Sequence, residues 1–330
     1  RQMCIRDSGY YIHHQGSGHR TRAQAVINHL DTPVVALTSL DTDLGAGVDV
    51  LRLERDDHAT HPTEVTAHGA LHWVPRRDRG LRDRMAQIAE FVTTRSPSAM
   101  VVDVSVEVAV FVRTMGVPVV VVAMPGRRDD AAHQLAYRLA DAIIAPWPEH
   151  LYRPDWLERF RTKTTFTGGI SRHDGRVPAV DVGRRADVLV MSGTGGVDTA
   201  AADLATIRAA HPGLVVRGLG PAFGTWVDDP WPDLCAAGLV VINAGQGSVA
   251  DVACAGRPAL VMPQQRPFDE QVATAHTLCH NGLARVCARW PSAREWESVV
   301  DRPPVTDWSA WRTRGAARRA ADAILASANR

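Results

Sequence analysis

Short apolar runs alternate with longer amphipathic stretches along the first half of the chain. The apolar runs have strand length and comprise 9–14 (GYYIHH), 33–38 (PVVALT), 48–53 (VDVLRL), 99–104 (AMVVDV), 117–123 (VPVVVVA) and 142–145 (AIIA). The amphipathic stretches have a helical spacing of apolar residues and cover 21–30, 81–94, 106–115 and 131–140. Strands this apolar are buried on both faces, as in a parallel sheet flanked by helices. The alternation therefore predicts a doubly wound α/β domain.

The pattern restarts after 166–185, a segment whose glycine, proline and charged residues are typical of a linker. Strand-like runs follow at 187–191 (DVLVM), 214–217, 239–243 and 259–262, with helical stretches between them. We predict an N-terminal Rossmann-like domain over 9–167, a linker over 168–186 and a second Rossmann-like domain over 187–305. In such sheets ligands bind at the carboxyl ends of the strands, where the unusual residues of this chain also lie.

The composition of the 330-residue chain is that of an ordinary globular protein, with 45% apolar and 22% charged residues. Its net charge of +1 gives no reason to expect a nucleic-acid partner. Its five cysteines show no metal-binding spacing, so we expect free thiols and a cytoplasmic location. No apolar run approaches the ~20 residues of a membrane helix, and no signal peptide is visible. Residues Arg1 to Ser8 fit no pattern, and we expect them to lie outside the fold.

The first candidate site is the glycine loop around Gly16 and Gly18, which leads into a helix. Glycine lets the backbone approach a ligand closely, and a helix N-terminus favours an anion. The third glycine of a dinucleotide fingerprint is missing, which argues against NAD. His19 follows the loop and is a candidate general base, the alternative being a solvated histidine in a tight turn. His13 and His14 lie on the preceding strand, where we expect a structural role.

Two loops of the second half also follow strands directly. Ser192 to Gly196 (SGTGG) comes after DVLVM, and its backbone amides are suited to a diphosphate. The second loop, 243–251 (NAGQGSVAD), places Asp251 one turn into a helix that we expect to start near Ser248. There the carboxylate could accept hydrogen bonds from both hydroxyls of a ribose. The alternative is a capping box between Ser248 and Asp251, which needs no ligand.

A third loop, 263–271 (PQQRPFDEQ), follows the strand PALVM and is strongly polar. Its side chains Gln265, Asp269 and Gln271 offer donors and acceptors suited to sugar hydroxyls. For Asp269 the alternative is a helix N-cap.

The run from Val240 to Ala275 (VVINAGQGSVADVACAGRPALVMPQQRPFDEQVATA) resembles the C-terminal domain of glycosyltransferase family 28. The loops 16–19 (GSGH) and 192–196 are similar to that family's two glycine loops, and 168–172 (GGISR) to its segment with an arginine near the donor. The resemblance implies a GT-B fold, in which two Rossmann-like domains face a central cleft and a C-terminal helix, 306–330, returns to the first domain. It also implies a hexosyltransferase that inverts the transferred sugar, uses a UDP-sugar and needs neither metal nor cofactor. N-acetylglucosamine is the sugar that the resemblance favours.

The resemblance further implies individual roles. The donor-side residues are Gly16, Gly18, Arg172, Gly195, Gly196, Gly245, Gln246, Gly247, Ser248, Asp251, Gln265, Asp269 and Gln271. In this reading the glycine loops hold the diphosphate, Arg172 neutralises phosphate charge, and Asp251 holds the ribose where the family has glutamate. Gln271, with Asp269 and Gln265, reads the sugar.

For catalysis, His19 would deprotonate the acceptor hydroxyl, and Asp103 at the end of the strand AMVVDV would orient it. A cap for the helix beginning near Val106 is the alternative for Asp103. Two arginine-rich stretches, 73–85 and 127–130, are candidates for acceptor contact, the first also for peripheral contact with the inner face of the plasma membrane. A solvated loop and helix start is the other reading of 73–85.

The sequence leaves the acceptor open among a lipid-linked glycan, a cell-wall polymer and a small metabolite. Two other functions also stay open. A UDP-sugar 2-epimerase of the same fold would need several carboxylates in the N-terminal cleft, where Asp103 and Glu107 are the candidates. A non-catalytic nucleotide-sugar-binding subunit would bind the donor without turnover.

Overall fold

A computed structural model gives the structure of the protein and describes residues 7–178, 186–193, 201–304 and 306–329. Within these ranges the chain forms two separate parallel sheets, each flanked by helices. The predicted α/β architecture with two Rossmann-like domains is therefore confirmed.

The first sheet has seven parallel strands in the order β3-β2-β1-β4-β5-β6-β7. These strands are β1 (Ser8–Ile12), β2 (Val34–Thr38), β3 (Val48–Arg52), β4 (Met100–Asp103), β5 (Val119–Val122), β6 (Ala142–Ala145) and β7 (Thr164–Phe166). The helices between them are α1 (Ser17–Ile27), α2 (Arg79–Arg95), α3 (Val106–Thr114), α4 (Ala131–Leu139) and α5 (Asp155–Glu158). The strand order reverses between β1 and β4, so a crevice opens there at the carboxyl edge of the sheet.

The second sheet has five parallel strands in the order β12-β11-β10-β8-β9. The strands are β8 (Ala186–Met191), β9 (Val216–Leu219), β10 (Ala237–Ile242), β11 (Ala259–Val261) and β12 (Arg285–Val286). The helices of this part are α6 (Ala201–Ala210), α7 (Trp231–Ala236), α8 (Gln246–Ala255), α9 (Glu270–His280) and α10 (Ala293–Asp301). Here the order reverses between β8 and β10, which places a second crevice beside the N-terminus of α8.

The last helix, α11 (Ala316–Ala328), returns to the first domain, as predicted. Its apolar face belongs to the same buried cluster as Tyr10 of β1, Val120 of β5 and Ile144 of β6. Ala320 and Ile324 of this helix are fully buried there. Arg319 donates to the carbonyl oxygen of Thr167, at the end of the first domain. The helix therefore braces the first sheet from the far end of the chain.

Three local expectations were wrong. Ser8 belongs to the fold, since it pairs with Val34 in the sheet and is only 2% exposed. The strand β1 ends at Ile12, so His13 and His14 lie on the loop beyond it. The C-terminal segment is broken, because Arg312 and Gly315 adopt left-handed backbone conformations between a short 3-10 turn and α11. No helix in the described ranges is long and apolar enough to cross a membrane.

Candidate active site

The carboxyl edges of the two sheets face one cleft of about 1150 Å³. This volume lies just above the range of about 300–1,000 Å³ that is usual for the pocket of one drug-sized ligand. The cleft is lined by residues of both domains, including Gly16, Gly18 and His19 from the first and 245–248 from the second.

Two helix N-termini meet at the cleft, those of α1 and α8. Their N-cap residues are Gly16 and Gly245, and no described side chain caps either helix. Neither first turn carries an acidic residue. Because the first N–H groups of a helix have no partner inside it and the dipole favours negative charge there, the two ends together suit an anion.

His19 and Asp103 lie side by side at the reversal point of the first sheet. Nδ1 of His19 is 3.0 Å from Oδ1 of Asp103, and the carboxylate of Asp103 is completely buried. The same carboxylate accepts from Arg22, by Nη2 at 2.6 Å and by Nε at 3.1 Å. Burial alone would raise the pKa of Asp103, but Arg22 and His19 outweigh it and hold that pKa well below its usual value. The group is therefore a carboxylate at any working pH.

The contacts around His19 favour one tautomer of its ring. Nδ1 also lies 3.0 Å from Nη2 of Arg22, which is a donor only. The carboxylate of Asp103 is the stronger acceptor, and Arg22 already donates to both of its oxygens. We therefore assign the proton to Nδ1, donating to Asp103, which leaves Nε2 of His19 able to take up a proton.

The capping alternative for Asp103 is wrong. Helix α3 is capped by Ser105, whose side chain accepts from the backbone N–H of Val108. Glu107, the other carboxylate counted for an epimerase, accepts from the backbone N–H groups of His72 and Trp73. It therefore ties a loop of the cleft wall to α3.

His13 lines the cleft next to His19, with 5.8 Å between their ring centroids. Burial, with the neighbouring His19 and His14, lowers the pKa of His13 to about 3, so the ring is neutral. Its Nδ1 accepts from the backbone N–H of Gln15, which leaves the ring proton on Nε2. His13 is therefore a hydrogen-bond donor beside the candidate base.

Gln246 is the first residue of α8 and reaches across to the first domain. Its Oε1 accepts from Nη1 of Arg22 at 2.9 Å, and the side chain lines the cleft. Gly245, Gly247 and Ser248 line the cleft beside it. The alternative of a capping box between Ser248 and Asp251 is wrong, because α8 starts two residues before Ser248, which lies inside the helix.

Asp251 and Arg172 contact each other behind the cleft wall. Oδ1 of Asp251 accepts from Ser171 at 2.6 Å, and Oδ2 accepts from Nε of Arg172 at 3.2 Å. Asp251 is 4% exposed, and burial raises its pKa despite the partly compensating charge of Arg172. Neither residue is among the described residues that line the cleft. In this structure the pair joins the segment between the domains to α8, and the ribose contact of Asp251 stays a prediction.

The loop 263–271 places its side chains differently from the prediction. Phe268 and Asp269 both adopt left-handed backbone conformations, with φ of 61° and 55°. Asp269 consequently forms an ion pair with Arg127 outside the main cleft, at 3.3 Å. It occupies the N-cap position of α9, but its side chain makes no capping hydrogen bond there. Of the three predicted side chains only Gln271 lines the cleft among the described residues, joined there by Gln264 and Glu270. Oε1 of Gln271 accepts from the backbone N–H of Gln264.

The same loop crosses to the first domain at residues 126–128. The backbone N–H of Arg127 donates to the carbonyl oxygen of Phe268 at 2.7 Å. The Phe268 ring lies 4.7 Å from the guanidinium of Arg128, and Glu270 pairs with Arg128 at 3.5 Å. Gly126 permits this approach, because a Cβ there would overlap the Phe268 carbonyl oxygen. The contact closes the cleft on one side.

Two imidazoles and a carboxylate also come together in the cleft wall. The nitrogens of His72 and His133 both lie at hydrogen-bond distance from Asp130, a set that could hold a metal ion. However, Nε2 of His133 accepts from Arg128 at 3.1 Å, which fixes the ring proton on Nδ1, toward Asp130. The pKa of His133 is lowered to about 4, first by burial. The set is therefore satisfied as a hydrogen-bond network next to a guanidinium, an unfavourable place for a cation.

Gly195 and Gly196 lie outside the described residues, while Gly193 of the same loop lines the cleft. Sequence reasoning missed Arg22. It named the stretches 127–130 and 263–271, but it missed the contact between Arg128 and Phe268. A signal for Arg22 existed, since it lies on the apolar face of α1 beside Ala23 and Val26, where arginine needs a buried partner.

No protein-family model matches the chain, and no curated protein matches it in sequence. Solved structures match it along nearly its whole length. MurG of Acinetobacter baumannii has a TM-score of 0.61 at 14% identity, covering 97% of this chain and 99% of its own. CalG4, the calicheamicin glycosyltransferase, has a TM-score of 0.59 at 18% identity, covering 99% and 96%. UGT2 of Phytolacca americana, solved with UDP-2-fluoro-glucose and pterostilbene, has a TM-score of 0.64 at 15% identity, covering 97% and 94%.

The chain has the GT-B fold. This confirms the fold that the resemblance to family 28 implied, including the central cleft and the returning C-terminal helix. Identities this low show the fold alone, so membership of family 28 itself stays a prediction.

Proposed function

We propose that the protein is a glycosyltransferase that moves a sugar from a nucleotide-sugar, expected to be a UDP-sugar, to a hydroxyl acceptor. The observation that carries the proposal is the juxtaposition in one cleft of the His19–Asp103 pair and two helix N-termini that no described N-cap side chain caps. The first arrangement can take up a proton, and the second can hold a diphosphate. The structural neighbours with named glycosyltransferase activity support it.

The proposed reaction is a single displacement with inversion. Nε2 of His19 takes the proton of the acceptor hydroxyl, and the acceptor oxygen forms a bond to the anomeric carbon. The bond from that carbon to the phosphate oxygen breaks, and UDP leaves with the electron pair. Asp103 stabilises the imidazolium that forms, as a buried carboxylate on Nδ1. The N–H groups of α1 and α8 stabilise the growing charge on the diphosphate.

On this proposal the second domain holds the donor at the turn 245–248 and the loop that ends at Gln271. The acceptor then lies over the first domain, against His13 and the wall formed by His72 and Trp73. N-acetylglucosamine stays the favoured sugar only by the resemblance, and the acceptor stays open.

A 2-epimerase is the second candidate, because the cleft holds more carboxylates than the sequence indicated. Asp56 and Asp57 line its N-terminal side. Asp57 accepts from His14 and Arg55, whereas Asp56 pairs with Arg84. An epimerase would return an altered sugar, whereas a transferase releases UDP as it transfers the sugar to the acceptor.

The test measures how fast the wild type and His19→Ala release UDP from a panel of UDP-sugars, with water as a slow acceptor. We expect His19→Ala to lower turnover by ~10²-fold or more while UDP affinity stays near that of the wild type. His29→Ala, a histidine on the same chain segment outside the described cleft lining, is the matched control. Turnover by His19→Ala at the wild-type rate would exclude His19 as the base.

A further inference from the structure

Arg22 is an arginine in the middle of α1 that is only 7% exposed. Burying a guanidinium is costly unless its donors are satisfied. One side of this group donates to both oxygens of Asp103. That pairing satisfies the charge, but it occupies only two of the three nitrogens.

The third nitrogen, Nη1, crosses the cleft to Oε1 of Gln246 at 2.9 Å. This bond settles the orientation of the glutamine amide, because a guanidinium can only donate and must therefore meet the oxygen. The other amide atom, Nε2, is buried and has no partner among the described residues. A buried N–H group without an acceptor costs free energy, and Gln246 lies at the helix end that suits an anion.

We propose that Arg22 is a positioning residue that couples the His19–Asp103 pair to the donor, and that Nε2 of Gln246 donates to the donor's diphosphate. The inference rests on the proposed function and names the side chains that connect its two halves. Arg22 holds Asp103 in the orientation that His19 needs. The same side chain turns Gln246 so that its N–H₂ group is left for the ligand.

The coupling predicts different kinetic effects for the two partners. Arg22→Lys keeps a positive charge, but an ammonium cannot span both Asp103 and Gln246 as the planar fork does. It should therefore lower kcat by about tenfold or more, because the His19–Asp103 pair loses its orientation. Gln246→Ala should mainly raise the donor KM, by about tenfold, as expected for a lost hydrogen bond to a charged group.

The experiment is a double-mutant cycle of Arg22→Lys and Gln246→Ala, read by UDP affinity in calorimetry and by UDP release. Arg20→Gln is the matched control, since Arg20 lies on the same helix and donates to Thr42 instead. Because Arg22 also orients the amide of Gln246, we expect Arg22→Lys to weaken UDP affinity by about fivefold or more in the wild-type background but not in Gln246→Ala, a non-additivity expected of contacting residues. If the role of Arg22 were purely structural, Arg22→Lys would lower the melting temperature, but kcat would not fall more than KM changes.

A readout without turnover separates this inference from the proposed function. The side-chain amide signals of Gln246 in ¹⁵N NMR, assigned by their loss in Gln246→Ala, should shift in ligand-free Arg22→Lys and again when UDP is added to the wild type. Additive effects, or wild-type UDP affinity in Gln246→Ala, overturn the inference even if the wild type turns over UDP-sugars. The amide signals could also move in Arg22→Lys while neither the wild type nor any variant binds a nucleotide. That result would overturn both the donor contact and the proposed function, and it would confirm only the hydrogen bond between Arg22 and Gln246 across the cleft.

Discussion

Asp103 shows how much of the candidate chemistry depends on one buried charge. The carboxylate is fully buried at the end of β4 and carries bonds from His19 and Arg22. These partners lie more than 80 positions earlier in the chain. Because its folded-state pKa is depressed, the ionised group contributes stability above its unfolded pKa, and that stability is lost in acid.

Asp103→Asn should affect both activity and stability. The amide leaves Arg22 buried without a counter-charge, so we expect a loss of about 3–5 kcal/mol in the free energy of unfolding, measured in urea. UDP release should fall by ~10²-fold, because the imidazolium loses its stabilising charge. Asp41→Asn is the control, since Asp41 and its partner Arg52 are exposed and such pairs contribute little. Equal free energies of unfolding for Asp103→Asn and Asp41→Asn would contradict a stabilising buried ion pair between Asp103 and Arg22.

Residue types and spacing could identify His19 and the glycine turns, because these depend on local sequence. They could not pair His19 with Asp103, since that contact depends on which strand lies next to β1. They also could not place Gln265 and Asp269 correctly. The left-handed backbone of Phe268 and Asp269 rotates the loop, and no glycine marks the turn.

At the scale of elements, the loop 266–270 connects the two domains through backbone as well as side chains. It meets the segment 126–128 at the carbonyl oxygen of Phe268 and at Arg128. An aromatic residue in the left-handed region is strained, and the cross-domain contacts hold it there. The apolar strands and amphipathic helices were predictable from their periodicity, whereas this contact was not, because it depends on how two domains face each other.

Gly126→Ala tests that contact, with Gly116→Ala as a matched control. Both glycines have positive φ, of 94° and 82°, so an alanine costs about 1–2 kcal/mol of backbone strain at either position. At Gly116 a Cβ meets open space, but at Gly126 it overlaps the Phe268 carbonyl oxygen. We therefore expect Gly126→Ala to lose more stability in urea and also to weaken UDP binding. Equal stability and equal UDP affinity of the two variants would show that the loop 266–270 does not hold the two domains together.

At the scale of the whole molecule, several buried histidines make stability depend on pH. Burial, with nearby Arg172 and Arg176, lowers the pKa of His173 from 6.5 to about 4, and that of His133 also falls to about 4. Their neutral forms stabilise the fold fully above pH 6.5. This stability is lost as the pH falls from about 6.5 toward 4, because the unfolded chain then binds protons that the folded protein does not.

His173→Phe should flatten this dependence. The ring is 2% exposed and packs 4.9 Å from the Trp231 ring, so phenylalanine keeps the aromatic contact but removes one titrating group. Urea unfolding at intervals between pH 7 and pH 4 measures the slope. The same replacement at His58, which is exposed, is the control. A slope unchanged in His173→Phe would contradict a buried neutral His173.

The central claim is that the cleft between the two domains binds a nucleotide-sugar. The most direct measurement is thermal unfolding of the wild type against UDP, UDP-N-acetylglucosamine, UDP-glucose, GDP-mannose, dTDP-sugars and NAD. A ligand at ~100 times its Kd should stabilise the fold by about 2.7 kcal/mol, and we expect this response for one class of nucleotide-sugar. Stabilisation by NAD alone, or by no nucleotide, would contradict the proposed function.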